Sequence, residues 1–370
     1  MPVAELDPDI LEGTALTIER SLTVAAKEFS DLFTSRRFLL IFALYLIIAM
    51  VGTGQGLGRY DYALTSYNDA LQVADEYRNL QELGAWWLDM PERPSVLLIF
   101  DSMTGTTVTL GTLLAIAAGF DLVTREKESR SLETLLSHPV YRDEVIVGKT
   151  FGGATALAIV VGLVLALTTG LLLVLSIVPT AGEIVAILLF GAISLLFLSA
   201  WFTVALAFST VTQESGNGLI FTLVALFAVS SPLPMIGAAV GDAVAGPPPQ
   251  LQLPKTSAGE IPGAVQEMTF TYASNETGSY VLDSPRHEAL EEYREELATY
   301  TEKRRTVTDV ITLLSPQKSY QIVADLVSTP GEGSLLESLG SVWAGIAGLI
   351  VFPSVFFAAA YTRFMRMDIR

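Results

Sequence analysis

Six long stretches without a single charged residue dominate this chain of 370 residues. A helix needs roughly 20 apolar residues to cross the hydrocarbon core of a bilayer. The runs 38–58, 102–120, 150–180, 184–213, 215–241 and 338–362 all reach that range. A soluble domain scatters charges over the outer faces of its helices. Here the apolar residues, 51% of the total, gather in blocks. The expected fold is an all-α polytopic membrane protein with about six transmembrane helices.

What lies between the runs sets the topology. The opening MPVAELDPDILEG is acidic and lacks the cationic start and short apolar core of a cleavable signal. The run at 38–58 is therefore expected to remain as the first span. Six spans put residues 1–37, 121–149, the turn at Glu214 and residues 363–370 on one side, with 12 Lys and Arg and a net charge of −3. The longer segments 59–101 and 242–337 on the other side, with the turn at Glu183, hold 10 and net −14. Cations are denser on the first side, which the positive-inside rule assigns to the cytoplasm. An acidic exterior repels nucleic acid and suits high external salt, where charge repulsion is screened. The composition is halophilic and archaeal-like in character. The absence of cysteine removes disulfides and thiolate chemistry, and with only two histidines a His-rich metal site is not expected. No catalytic constellation stands inside the spans, where ionisable groups are costly and usually functional.

The expected organisation is a cytoplasmic segment 1–37, spans one to five over 38–240, an extracellular segment 241–337, and a last span with its cytoplasmic tail over 338–370. In the first segment Leu22, Ala25, Ala26, Phe29, Leu32 and Phe33 recur at helical spacing, with Arg20, Lys27, Glu28 and Asp31 elsewhere on the wheel. This is the pattern of an amphipathic interfacial helix ending at Arg36-Arg37. Trp86-Trp87 fits a membrane–water interface, and Asp101 is expected to cap the second span. Pro232 and Pro234 should end the fifth span near Ser231, leaving 235–240 as a short re-entrant or interfacial piece. In the outer segment, EMTFTYAS alternates like a strand. The sequence from Pro285 reads as one long helix with an apolar stripe at Leu290, Tyr293, Leu297 and Tyr300. Asn275-Glu276-Thr277 is a glycosylation acceptor triplet. Small residues at Gly111, Ala115 and Gly119, and at Gly340, Ala344 and Gly348, permit close helix packing. Thr104, Thr106, Thr107, Thr109 and Thr112 make the second span hydroxyl-rich.

The segment 121–149, DLVTREKESRSLETLLSHPVYRDEVIVGK, is the richest in information. Charges alternate through REKESR, and Leu132, Leu135 and Leu136 then form an apolar face. It resembles the cytoplasmic segment of ABC-2-type transporter permeases, on Glu126, Glu128, Ser131-Leu132-Glu133, Leu135-Leu136-Ser137, Pro139-Val140, Arg142 and Gly148-Lys149. Arg130 departs from the pattern, since many members carry glycine there. AAKEFSDLFTSRRF resembles the family's N-terminal interfacial helix, and YTRFMRMDIR its C-terminal end.

The resemblance implies the membrane subunit of an ATP-driven transporter, an exporter, that is not itself an enzyme. It implies a separate ABC ATPase carrying ATP and magnesium, no cofactor on this chain, and a permease homodimer or heterodimer in the bilayer. The ATPase-coupling residues would be Arg125, Glu126, Glu128, Ser131, Leu132, Leu135, Leu136, Pro139, Arg142, Gly148 and Lys149, with Leu135 and Leu136 buried in the partner and Glu126, Glu128 and Arg142 at the rim. Gly148-Lys149-Thr150 resembles the end of a P-loop, but Asp143 stands where that motif needs glycine. The competing expectation is an ABC-2-like scaffold that passes ATPase motion to an extracellular process without moving a substrate.

Overall fold

The computed structural model describes residues 8–76, 93–131, 141–251, 273–274, 280–281, 285–312, 314–328, 340 and 342–367. Among them, six helical stretches are long and apolar enough to cross a membrane: Arg36–Gln72, Leu97–Glu128, Arg142–Val174, Ala181–Val211, Ser215–Ala245 and Trp343–Met365. Each overlaps one of the six charge-free runs. Among the described residues the fold is all-helical apart from one two-stranded ladder, and the chain is a multi-pass membrane protein.

Two compact units divide the chain, one of residues 1–230 and 313–370, the other of residues 231–312. The first is the bundle. Its leading helix α1 (Pro8–Thr34) is followed after Ser35 by α2 (Arg36–Glu76). Arg36-Arg37 therefore opens the first membrane helix and does not close the interfacial one. The second span is assembled from α3 (Leu97–Thr106), a π-helical turn (Thr107–Gly111), α4 (Thr112–Gly119) and the short α5 (Thr124–Glu128). Next come α6 (Arg142–Val174), α7 (Ala181–Val211) and α8 (Ser215–Ser230). The bundle is completed by α11 (Pro316–Ser328) and α12 (Trp343–Met365).

A helix that is apolar all round belongs in the interior, and α7 occupies it. Phe197, Trp201 and Phe202 are fully buried there, and α4, α6, α8, α11 and α12 all pack on α7. Gly119 explains how close α4 comes. A Cβ at that position would stand 2.7 Å from the Phe202 carbonyl, so the small-residue face of the second span is its seam with α7. In the last span the packed small residue is Gly345, against Val323 of α11, whereas Gly340 faces open space. Helical phase, one residue off the 340/344/348 spacing, decides this. Apolar side chains on α2, α6 and α8, among them Ile47, Leu163, Phe221 and Phe227, remain exposed, as a lipid-facing surface requires.

The structure corrects the role of Asp101. The second span starts at Leu97, because Leu97, Ile99 and Phe100 are apolar and buried. Asp101 is therefore in the second turn, where its carboxylate accepts from Ser328 Oγ at 3.2 Å and lies 3.9 Å from Arg59. The N-terminus of α3 is served instead by Glu183, which accepts from Ser95 Oγ at 2.8 Å and from the Val96 amide at 3.0 Å. The other oxygen of Glu183 closes a capping box with Thr180 at the start of α7. The second span, thus pinned, is the most buried of the six and the least apolar.

Helix α11 was not foreseen as an element. At 13 residues it is about 20 Å long, too short to span. It inserts Tyr320 against α7, where the ring stacks on Phe197 at 4.7 Å and the hydroxyl meets Ser194 Oγ at 3.0 Å. Three hydroxyls of the second span are likewise taken up within the bundle. Thr107 pairs with Tyr45 at 3.2 Å, and Thr109 and Thr112 bond back to Gly105 and Val108.

In the second unit, α9 (Pro232–Ala245) begins at the expected proline break, with Pro232 in its first turn. It pairs with α10 (Pro285–Thr312). The stripe Leu290, Tyr293, Leu297 and Tyr300 is the partly buried face of α10. Arg304 is hydrogen-bonded to Asp242, which raises the guanidinium above its ordinary value. Strands β1 (Ala273–Ser274) and β2 (Tyr280–Val281) pair antiparallel. Trp86-Trp87 and Asn275 lie outside the described residues.

Candidate coupling site

The site is built where α1 lies against the start of α6, beside the end of the second span. Two glycines set the approach. A Cβ on Gly148 would stand 2.7 Å from the Ser21 carbonyl, and one on Gly152 2.7 Å from the Ala25 carbonyl. Only a bare backbone lets the helices meet this closely. Gly148, Lys149 and Thr150 are thus interior residues of a helix in contact with another helix.

Ion pairs follow the same seam. Arg20 faces Glu144 at 3.8 Å, Lys27 faces Glu126 at 3.6 Å, and Asp31 faces Arg125 at 3.7 Å. At the centre Lys149, fully buried, reaches Glu28 Oε1 at 2.5 Å and Glu126 Oε1 at 2.8 Å. Positions 20, 27, 28 and 31 share one face of α1 by helical spacing. Of these charges Glu28 alone is buried against α6, whereas Arg20, Lys27 and Asp31 make their pairs at the edge of the seam and stay 40–54% exposed. Glu126, expected at a solvated rim, is turned inward because Lys149 is buried behind it. Glu28 and Glu126 each keep one oxygen without a hydrogen bond among the described residues. A buried pair of this kind offsets a desolvation cost of several kcal/mol per ion only while both partners remain.

The helix α5 is five residues long, and four of them in succession hold four different helices. Arg125 takes Asp31 of α1, and Glu126 takes Lys149 of α6. Lys127 donates to the carbonyls of Ser209, Thr210 and Thr212 at 3.3, 2.8 and 2.9 Å, at the C-terminal end of α7. Glu128 accepts from the Ser215 amide at 2.6 Å and its hydroxyl at 3.1 Å, at the start of α8. A cation on the last carbonyls of a helix and a carboxylate on the first amides both complement the helix dipole. Ser209 Oγ adds a further tie by accepting from the Val123 and Thr124 amides. Beyond the segment, Arg142 donates to the Met367 carbonyl at 2.8 Å and so reaches the end of α12.

Of the residues read as coupling residues from sequence, Arg125, Glu126, Glu128, Arg142, Gly148 and Lys149 are brought into this one assembly. Ser131 lies at its exposed edge, bonded to Ser129 at 2.8 Å. Leu132, Leu135, Leu136 and Pro139 lie outside the described residues. Sequence reasoning missed Glu28, Lys127 and Gly152. The GKTFG spacing of Gly148 and Gly152, and the complementary charges at 20, 27, 28 and 31, were the signals available.

A family model described as "ABC-2 family transporter protein" matches residues 22–369. The chain belongs to the ABC-2 family. No curated protein matches it. As an ABC-2 family protein it is the membrane component, the permease, of an ABC transporter, and this component is non-catalytic. The matched range takes in α1 from Leu22, the segment 121–149 and the contact of Arg142 with the end of α12. Apart from Arg20 and Ser21, this assembly lies within the ABC-2 region of the chain, whose family works with an ABC ATPase in general.

Proposed function

We propose that this permease belongs to an ATP-driven exporter and that residues 121–149 are the plate through which a separate ATPase moves the spans. The observation that supports this is the run Arg125–Glu128, whose four side chains hold α1, α6, α7 and α8 in turn. A displacement of so short a piece reaches every helix it holds. ATP would be the ligand that shifts the equilibrium, by favouring one arrangement of the partner over another, and magnesium would accompany it there. By family analogy two permeases, alike or different, join two ATPases. Residues 1–37, 121–149 and 363–370 would face the cytoplasm on the density of Lys and Arg.

Docking and transmission separate in experiment. Leu135→Asp should abolish co-purification of the ATPase, since apolar anchors carry most interface energy. Glu128→Gln should leave the ATPase bound while lowering hydrolysis by the complex several-fold. Retention of the partner by Leu135→Asp would sink the docking role. Labelling of a cysteine at Ser131 by an impermeant reagent in intact cells would sink the topology. The compact unit 231–312 favours a second reading, a scaffold acting on an extracellular process. Movement of substrate in vesicles holding both subunits would exclude that scaffold.

A further inference from the structure

A buried ammonium is neutralised by a single carboxylate, yet Lys149 has two, and they come from different helices. Glu126 reaches it from α5 at 2.8 Å, and Glu28 reaches the same Nζ from α1. Nothing else takes up the surplus, because Glu28 Oε2 and Glu126 Oε2 are both buried without a hydrogen bond among the described residues. Glu126 has a second cation within reach, Lys27 at 3.6 Å, whose side chain stays 54% exposed. The two glutamates and two lysines sum to zero charge. The flanking pairs Arg20–Glu144 and Arg125–Asp31 are neutral in themselves.

This set of four divides in two ways. With α5 in place, Lys149 holds both carboxylates. With α5 drawn off α6, Lys149 keeps Glu28, and Glu126 keeps Lys27 at the solvent edge. Neither division leaves a charge buried and alone, which is the arrangement that costs most. The other ties of the run lack this provision. Among the described residues Arg125 has one carboxylate, that of Asp31, while Lys127 and Glu128 hold backbone groups at the ends of α7 and α8.

We infer that the tie between α5 and α6 is an ion-pair exchange, in which Glu28 is a positioning residue that keeps Lys149 neutralised when Glu126 leaves. Helix α5 then parts from α6 while its other three ties hold. The exchange rests on residues 121–149 being the moving plate, and it assigns the place where that plate lets go.

The test reads hydrogen exchange of the Arg125, Lys127 and Ser129 amides in the full chain in nanodiscs. These amides donate to the carbonyls of Asp121, Val123 and Arg125, and so short a helix does not protect them once it loses a neighbour. Glu126→Gln weakens only the closed arrangement and should speed this exchange about tenfold. Glu28→Gln keeps the closed pair of Lys149 with Glu126 but strands Lys149 when α5 departs, so it should slow exchange at least about tenfold. Glu28→Asp, which restores the charge, should bring the rate back toward wild type. Unchanged exchange in the core of α7 shows that each variant is folded. A Glu28 that merely packed the seam would speed exchange when replaced, as Glu126 does. That result, or an unchanged rate in Glu126→Gln, would overturn the inference. Exchange in the complex with its ATPase, with and without ATP, probes the plate separately. If wild-type α5 ignores the nucleotide while the two Gln variants still move in opposite directions, the plate reading fails and the ion-pair exchange stands.

Discussion

Lys149 has no solvent of its own, so its ammonium depends wholly on Glu28 and Glu126. Removing one partner of a buried ion pair costs about 3–5 kcal/mol, because the other charge is left uncompensated. Lys149→Met should therefore lower the unfolding midpoint sharply, whereas Glu28→Gln, which preserves the pair with Glu126, should be much milder. If thermal unfolding in detergent found the two alike, the cluster would not be held by charge. Arg130 offers the opposite change. Its φ of 57° lies in the left-handed region, where a side chain is strained and glycine is not. Arg130→Gly should stabilise the protein by about 0.5–1 kcal/mol in the same measurement. The sequence pointed to this position as a departure from glycine in the family pattern, and the backbone supplies the reason glycine fits there. It gave no such lead to Glu28. A helical wheel sorts residues by polarity and sends every carboxylate to water, and only the position of Lys149 on a second helix reverses that.

Between elements, what mattered was which helices touch. Length and absence of charge located all six spans, and the two prolines located the start of α9, since both are properties of one segment. Contacts between segments were less visible. The small-residue face at Gly111 and Gly119 signalled a tight seam, and the structure supplies α7 as its partner. The seam of α6 with α1 had the same signature in Gly148 and Gly152, hidden within a motif that looked like a phosphate loop. Gly152→Val should push α1 away and cost about 1–3 kcal/mol, as overpacking does. Loss of a cross-link between cysteines placed on α1 and α6 would report the separation directly, and an unchanged cross-link would mean the glycines are not required. Helix α11 escaped notice because a polar, 13-residue helix has neither the length nor the composition of a span. Its place in the bundle depends on Tyr320 finding Phe197 and Ser194.

For the molecule as a whole, charge is the property that no single element carries. The net −17 is concentrated, on the proposed topology, in the outer segments. Their mutual repulsion weakens as the Debye length falls from about 10 Å at 0.1 M salt to about 3 Å at 1 M. The unfolding midpoint should therefore rise across a salt series, and a flat response would leave the acidity unconnected to stability. The double attachment of Glu183, to the first turn of α3 and to the cap of α7, has a consequence in time. The chain is made from its N-terminus, and the second span is complete before α7 exists. Until the fourth span emerges, the residues around Val96 lack the carboxylate that anchors them, and the face of α4 lacks the surface it packs on. A nascent chain stopped after residue 174 should therefore expose its second span to protease far more than one stopped after residue 212, so that the order of synthesis becomes an order of assembly.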